Sequence, residues 1–221
     1  MARKSSQRAP KRLRVLVTAG PTREHVDPVR YLTNESSGRM GFAIAEAARA
    51  AGHAVTLVAG PVALPTLEGV RRLDVTSALE MRAATISAFR ESDALFMAAA
   101  VCDWRPAKRL RGKWRAKDRA GAKTSLALVR NPDILATCGR ERSKGSRLVV
   151  GFALETGSGI ARARRKLRRK GADYIVLNDE RALNAPRASV LILGGDGSIR
   201  RLRNRTKAQI ARELVALLGR P

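Results

Sequence analysis

The sequence is poor in cysteine and histidine, and these shortages exclude two kinds of site. Among its 221 residues there are two cysteines and two histidines. Cys102 and Cys138 lie far apart and outside any CxxC spacing, so neither a disulfide framework nor a zinc site is predicted. His25 and His53 are isolated and form no ligand cluster, so we assign them no chemistry.

Long apolar runs are also absent. No segment approaches the roughly 20 consecutive apolar residues that a membrane-spanning helix requires. The basic start, MARKSSQRAPKRLR, leads directly into VLVTAG without an apolar signal core or a small-residue cleavage site. We therefore expect neither membrane association nor export, and the unpaired cysteines suit a reducing cytoplasm.

Acidic residues are scarce relative to basic ones. The chain has 19 Asp and Glu against 44 Lys and Arg, which gives a formal net charge of +25. Such charge attracts nucleic acid, but it also attracts a nucleoside triphosphate or a phosphorylated substrate. Because aromatic residues make up 4% of the chain, little is available for base stacking, and we expect any nucleic-acid binding to be incidental.

The apolar pattern predicts a regular alternation of strands and helices. Apolar runs of strand length are Arg14 to Ala19, His53 to Ala59, Val70 to Asp74, Ala94 to Val101, Leu148 to Ala153, Tyr174 to Leu177 and Ser189 to Leu193. Helices are predicted from Ser36 to Gly52, from Ser77 to Arg90, before Tyr174 and from Lys207 to Leu218. This order predicts an α/β fold with a Rossmann-like, doubly wound, mostly parallel sheet.

The composition also predicts the domain organisation. Residues 1–12 are basic and have almost nothing to bury, so we expect a disordered tail. Residues 13–221 are expected to form a single domain. Within it, the apolar periodicity lapses at about residues 104–127, where we expect a flexible flap.

The loop after the first strand differs from a dinucleotide-binding loop. A nicotinamide-dependent oxidoreductase would place GxGxxG directly after this strand. Here fifteen residues, 21–35, separate Gly20 from the segment SSGRMG, which begins a helix with Ser36, Ser37 and Gly38. Hydroxyls and backbone N–H groups at a helix start can bind an anion. An ordinary serine cap, with glycines for helix packing, remains the alternative.

Several motifs in order carry a family resemblance. They are VTAGPTREHVDPVRYLTNESSGRMG, AAAVCDWRP, VRNPDIL, VVGFALET and RRKLRRKGADYIVLND, and they cover the chain from about residue 13 to 218. Together they resemble the phosphopantothenate–cysteine ligase family, also called phosphopantothenoylcysteine synthetase. Several motifs in register are more specific than one glycine pattern.

The resemblance implies a reaction and its cofactor. The family joins 4′-phosphopantothenate to cysteine through an acyl-nucleotide intermediate in coenzyme A synthesis, with Mg²⁺ and with CTP in most bacteria or ATP in eukaryotes. The motifs favour CTP. The resemblance also implies a homodimer without flavin, and a chain of this length predicts a free-standing ligase with decarboxylation by a separate protein. A nicotinamide-dependent oxidoreductase and a nucleic-acid-binding protein remain the alternatives.

The resemblance assigns the substrate contacts to four positions. Asn34 matches the asparagine that contacts the acyl group of the intermediate, although an asparagine here could simply shape a turn. Ala99 and Ala100 match paired alanines that line the substrate site, and Asp103 matches an acid that contacts nucleotide and substrate. Without the resemblance, the alanines would be core residues and Asp103 a cap.

The flap lysine is assigned to Lys113, which would stabilise charge during activation. The sequence departs from the family at this point, because Lys113-Trp114-Arg115-Ala116 stands where relatives commonly carry a lysine-rich K-x-K-K element. Arg111, Arg115 or Lys117 could supply the same charge, and a solvated basic loop is the simplest alternative.

The remaining assignments concern the nucleotide, while the metal ligands stay open. Lys166 and Lys170 are four residues apart and share one face of an arginine-rich helix that could otherwise be merely solvated. The full set of implied nucleotide contacts is Ser36, Ser37, Gly38, Asp103, Lys113, Asn131, Pro132, Asp133, Ile134, Phe152, Lys166 and Lys170.

Overall fold

The computed structural model describes residues 11–115, 123–142, 147–155, 159–179 and 185–219. Twelve strands occur in this part of the chain: β1 (Arg14–Ala19), β2 (Arg23–His25), β3 (Tyr31–Thr33), β4 (Ala54–Ala59), β5 (Val70–Asp74), β6 (Ala94–Met97), β7 (Trp104–Pro106), β8 (Leu128–Arg130), β9 (Leu148–Glu155), β10 (Tyr174–Asp179), β11 (Arg187–Gly194) and β12 (Ile199–Thr206). The α-helices are α1 (Arg39–Ala50), α2 (Ala78–Phe89), α3 (Ile134–Glu141), α4 (Ile160–Lys170) and α5 (Lys207–Val215).

Eight strands form one sheet in the order β12-β11-β10-β9-β6-β1-β4-β5. All pairings from β10 to β5 are parallel, whereas β11 is antiparallel to both β10 and β12. The chain starts in the middle at β1, runs outward to β4 and β5, and returns on the other side at β6. The predicted α/β class with a mostly parallel sheet is thus confirmed, and the strand order reverses between β1 and β6.

Helices cover both faces of the sheet. On one face, α1 and α5 pack with Val15 and Val17 of β1 in a single buried cluster. On the other face, α2, α3 and α4 pack with Leu16. Successive side chains of a strand point to opposite faces, and the consecutive apolar residues 15–17 of β1 are all buried because both faces of the strand are covered.

The fold requires glycine at Gly41, in the predicted anion loop, and at Gly20, before that loop. A Cβ atom at Gly41 would lie 2.5 Å from the Cβ of Ala19, so glycine lets α1 approach β1 closely. Gly20, which directly follows β1, has a φ of 77°, in the left-handed region that favours glycine. The packing alternative therefore holds for Gly41 whether or not an anion binds nearby.

Several elements differ from the sequence-based prediction. Five strands were not predicted, namely β2, β3, β7, β8 and β12. Helix α1 begins at Arg39 rather than at the serines, and β6 ends at Met97 rather than Val101. The expected flap begins with β7, which pairs antiparallel with β8 just beyond the predicted end of the flap. The first ten residues of the expected tail and residues 116–122 of the flap lie outside the described residues.

Strand β12 forms one edge of the sheet. Its residues Arg201, Arg203 and Arg205 are exposed, and its pairing with β11 shifts register between Ala188 and Val190. In the described part of the chain, no helix is both long enough and apolar enough to cross a membrane.

Candidate functional site

The loops after β1 and β6 meet at the carboxyl ends of these strands. The amide of Ala100 donates to the carbonyl of Gly20 at 2.9 Å, and the carbonyl of Ala100 accepts from the amide of Thr22 at 3.3 Å. The side-chain amide of Asn34 donates to the same carbonyl at 3.2 Å. Ligands of open α/β sheets bind where the strand order reverses, and two predicted site residues therefore meet at that place.

A short hairpin made of β2 and β3 carries Asn34. Thr22 and Glu24 are buried, and they tie the hairpin to the loop after β6 and to the start of α2. The Thr22 hydroxyl accepts from the amide of Cys102 at 3.0 Å, and a Glu24 carboxylate oxygen accepts from the amide of Ala78 at 2.9 Å. Asn34 directly follows the hairpin, so its position is set by these buried contacts.

Beside this junction lies a cavity of about 590 Å³ at the carboxyl ends of β6 and β9, bordered by α3 and α4. Nine of the predicted site residues line it: Ala99, Asp103, Asn131, Pro132, Asp133, Ile134, Phe152, Lys166 and Lys170. A volume of this order suits a small organic ligand. The other predicted residues, Asn34, Ser36, Ser37, Gly38, Ala100 and Lys113, are outside its lining.

Basic side chains outnumber acidic ones in the cavity. Arg130, Lys166, Arg169 and Lys170 line it together with Asp103 and Asp133. Lys170 forms an ion pair with Asp133, which also caps α3 by accepting from the amide of Ala136. Burial lowers the pKa of Lys170, the Asp103 carboxylate opposes this shift, and Arg130 adds to it. The net positive charge favours a polyphosphate ligand.

Asn131 braces the cavity wall. Its side-chain amide donates to the carbonyl of Cys102 at 2.9 Å, and its side-chain oxygen accepts from Arg105 at 3.0 Å. Lys166 similarly donates to the carbonyl of Phe152 at 2.7 Å. Both ends of the Asn131 amide thus bond within the protein, one to the loop after β6 and the other to β7.

The predicted anion loop lies at the start of α1. Gly38 occupies the N-cap position with a φ of 73°, and no side chain caps the helix. The amide of Gly38 donates to the hydroxyl of Ser36 at 3.4 Å, which is a weak contact. The alternative of an ordinary serine cap is therefore not realised, and the N–H groups of the first turn can bind a ligand or water.

Lys113 lies on the long segment between β7 and β8, and its side chain is exposed. The structure does not bring it into the cavity. Its neighbour Trp114 is instead bonded to the loop between β2 and β3, since its amide donates to Asp27 at 3.0 Å.

Sequence reasoning missed three polar or aromatic residues of the cavity: Trp104, Arg130 and Arg169. The Arg130 guanidinium lies 5.5 Å from the centre of the Trp104 ring. Trp104 and Arg130 directly flank predicted residues in the sequence, and Arg169 precedes Lys170. Their position next to predicted site residues was the one signal in the sequence. Positive charge alone could not distinguish Arg130 and Arg169 among 44 basic residues.

Two carboxylates of the cavity, Asp103 and Asp133, are the candidate metal ligands. Residues 11–115, 123–142, 147–155, 159–179 and 185–219 contain no group of three or more His, Cys, Asp and Glu side chains that could hold a metal alone. Mg²⁺ usually needs one or two carboxylates plus substrate phosphates. Asp133 is engaged by Lys170 and the start of α3, whereas Asp103 is exposed at the cavity. Asp103 therefore fits as a magnesium ligand beside a nucleotide.

Comparisons with known proteins point to the same family as the sequence motifs. Residues 11–220 match the family described as the DNA/pantothenate metabolism flavoprotein C-terminal domain. The crystal structure of the C-terminal domain of a coenzyme A biosynthesis bifunctional protein CoaBC is 39% identical, with a TM-score of 0.79 and coverage of 93% of each chain.

Two curated relatives are longer than this chain. The coenzyme A biosynthesis bifunctional protein CoaBC of Escherichia coli K12 is 47% identical over 170 residues, which are 76% of this chain and 41% of that protein. A cysteine/cysteine sulfinic acid decarboxylase of an unknown prokaryotic organism is 41% identical over 210 residues, which are 91% of this chain and 56% of that protein. The chain thus spans about half the length of these relatives.

Proposed function

The chain belongs to the DNA/pantothenate metabolism flavoprotein C-terminal domain family, and on this basis we propose that it is the phosphopantothenate–cysteine ligase of coenzyme A synthesis. The observation that carries the proposal is the positively charged cavity beside the junction of Asn34 with Ala100. A triphosphate site and an acyl-group site would be neighbours there. The likeness to the CoaBC C-terminal domain supports the same assignment.

The proposed reaction begins with activation of a carboxylate. A carboxylate oxygen of 4′-phosphopantothenate attacks the α-phosphorus of the nucleotide, the bond to the β-phosphate breaks, and pyrophosphate leaves. The product is a mixed anhydride. The chain contributes by placing the reactants in line and by neutralising phosphate charge. Arg130, Lys166, Arg169 and Lys170 are the cavity cations suited to that task.

The second step forms the amide bond. The amino group of cysteine attacks the anhydride carbonyl, the nucleoside monophosphate leaves, and a proton is lost from nitrogen. Asn34 is proposed to hold the acyl group, because its side chain can both donate and accept hydrogen bonds. The contact with Ala100 fixes the orientation of this amide at the edge of the cavity.

Several nucleotide contacts follow from the cavity. Phe152 and the turn formed by Asn131 to Ile134 are proposed to border the base and ribose, since they line one wall. Ser36, Ser37 and Gly38 are proposed to bind a phosphate at the uncapped start of α1. Lys113, whose side chain is exposed on the flap, is proposed to contact the nucleotide when ligand is present.

Magnesium is proposed as the cofactor, with Asp103 as its protein ligand and nucleotide phosphates as the others. When bound, the ion neutralises phosphate charge and orients the triphosphate. CTP is proposed ahead of ATP on the family resemblance. A cytoplasmic homodimer, with decarboxylation by a separate protein, completes the proposal.

Pyrophosphate release is the direct test. The purified protein is incubated with 4′-phosphopantothenate, cysteine, Mg²⁺ and either CTP or ATP, and pyrophosphate and phosphopantothenoylcysteine are quantified. We expect both products in equal amounts, with CTP preferred. Omission of cysteine should leave pyrophosphate release but abolish the amide product.

A second arm separates the ligase from a decarboxylase, the activity named for one relative. The same protein is incubated with cysteine, cysteine sulfinic acid or phosphopantothenoylcysteine, and carbon dioxide is measured. Carbon dioxide release without pyrophosphate release from any triphosphate would replace the ligase proposal by a decarboxylase.

A further inference from the structure

The Asp27 carboxylate joins the flap to the loop between β2 and β3. The side chain of Asp27 is fully buried. One oxygen accepts from the amides of Val29 and Arg30, both at 2.7 Å. The other accepts from Arg30 Nε at 2.9 Å and from the amide of Trp114 at 3.0 Å. Asp27 and Trp114 are 87 positions apart in the sequence, so this contact fixes two distant segments to each other.

Two further contacts lie beside this carboxylate. The amide of Leu110 donates to the carbonyl of Val26 at 2.9 Å. Arg30 donates to the carbonyl of Trp114, and its guanidinium lies 5.9 Å from the centre of the Trp114 ring. The flap backbone is therefore attached on both sides of Lys113.

The charge of Asp27 is maintained by its donors. Burial raises the pKa of Asp27, but the amides of Trp114, Val29 and Arg30 and the Arg30 guanidinium outweigh burial and hold the pKa well below its usual range. A buried carboxylate that lost these donors would be strongly destabilised. The bonds to the flap and to Arg30 therefore support each other.

The same hairpin leads to Asn34. Its strands are paired from Arg23 with Thr33 to His25 with Tyr31. Its base is tied to the loop after β6 through Thr22 and to the start of α2 through Glu24. Asn34 follows one end of the hairpin, and Asp27 lies at the other. Because the hairpin is held at its base, it relates the flap geometrically to the acyl-group site.

We propose that Asp27 is a positioning residue that places the flap backbone at Trp114, and thereby Lys113, in fixed relation to Asn34. The anchoring follows from the contacts alone. Its catalytic consequence rests on the proposed function, because Lys113 is expected to act during activation. Asp27 itself touches no reacting atom, so its removal should lower kcat and leave nucleotide KM almost unchanged.

Trp114 supplies a reporter for the anchor that does not depend on activity. In a Trp104→Phe background it is the remaining one of two tryptophans. We expect Asp27→Asn to raise the acrylamide quenching constant of Trp114 about twofold or more, because the flap loses its anchor. In the Trp104 protein, Asp27→Asn should lower kcat for pyrophosphate release about 100-fold, with nucleotide KM changed less than about 2-fold.

Asp93→Asn is the matched control. Asp93 also accepts a backbone amide and pairs with a guanidinium, both from Arg14. It lies at the amino end of β6, opposite the cavity end of the sheet. This variant should leave Trp114 quenching and kcat as in the wild type. Equal effects from both variants would assign the loss to general destabilisation and overturn the proposal.

The remaining outcomes separate the anchor from the proposed function. Unchanged Trp114 quenching in Asp27→Asn overturns the anchor, and changed quenching with unchanged kcat overturns the positioning role. An inactive wild-type protein overturns the ligase and the catalytic part of this proposal, while quenching still decides the anchor. If Asp27→Asn does not fold, hydrogen exchange of the wild type decides: protected amides at 110 and 114 support the anchor, and unprotected ones exclude it.

Discussion

The side-chain amide of Asn34 donates a hydrogen bond to the backbone carbonyl of Ala100 at 3.2 Å. The first residue follows a hairpin inserted after β1, and the second lies in the loop after β6. The bond therefore closes the junction at which the strand order of the sheet reverses. A side chain in this place can be oriented before any ligand binds.

Replacing Asn34 by alanine should separate the two half-reactions. Pyrophosphate release should continue, whereas amide formation should fall about 10- to 100-fold, because one group that holds the acyl intermediate is lost. The measurement is the ratio of pyrophosphate to phosphopantothenoylcysteine in single-turnover experiments. A ratio of one, as expected for the wild type, would remove Asn34 from the mechanism.

The cavity lysines should act on nucleotide affinity. Lys166→Met and Lys170→Met should each raise nucleotide KM about tenfold, since each removes one cation from the proposed phosphate site. Arg164→Met on the exposed side of α4 is the matched control, because Arg164 is exposed and outside the lining. Steady-state kinetics at fixed ionic strength measures all three variants. An equal rise in nucleotide KM for Arg164→Met would show that the overall positive charge of α4, rather than contact with the two cavity lysines, determines nucleotide affinity.

Asp103 should control the magnesium requirement. Chelation of divalent ions should abolish pyrophosphate release, and Asp103→Asn should raise the Mg²⁺ concentration for half-maximal rate about tenfold or more, because a carboxylate ligand is lost. Asp74→Asn serves as the control, because Asp74 is an exposed carboxylate that pairs with Arg72 and lies at the end of β5. An unchanged magnesium requirement in Asp103→Asn would place the ion elsewhere.

Asp27 should stabilise the fold in a pH-dependent manner. The folded pKa of Asp27 lies below the unfolded value of about 3.9, so its charge contributes stability above that pH. The contribution decreases as the pH falls from about 4 toward the folded pKa. The difference in free energy of unfolding between wild type and Asp27→Asn, from urea denaturation, should therefore be constant near neutrality and shrink in acid. A difference that grew below pH 4 would contradict the assignment.

The main fold could be predicted because its signals are local and repeated. Strands such as β1 and β5 were predicted at their observed bounds, since apolar runs of strand length alternate with helical segments. The hairpin of β2 and β3 could not be predicted in this way. Each strand has three residues, too few to show a period of two, and the hairpin is held by Thr22 and Glu24 through distant partners.

The cavity was predicted in part for a related reason. Motif positions such as Asp103 and Phe152 were identified by resemblance, and the fold places them around one cavity. Their positively charged neighbours could not be distinguished from solvated residues, because Arg130 and Arg169 belong to basic clusters that continue over the surface. The hydrogen bond between Trp114 and Asp27 joins residues 87 positions apart, so no local sequence pattern could predict it.

The arginines along β12 also affect how the protein can associate. An exposed edge strand offers unpaired backbone groups to another chain, and charged side chains and irregular register are the usual protection against such pairing. With Arg201, Arg203 and Arg205 exposed, a second copy approaching edge to edge would meet like charges along the whole strand. Continuous sheets between copies, and fibres grown from them, are therefore disfavoured at this edge.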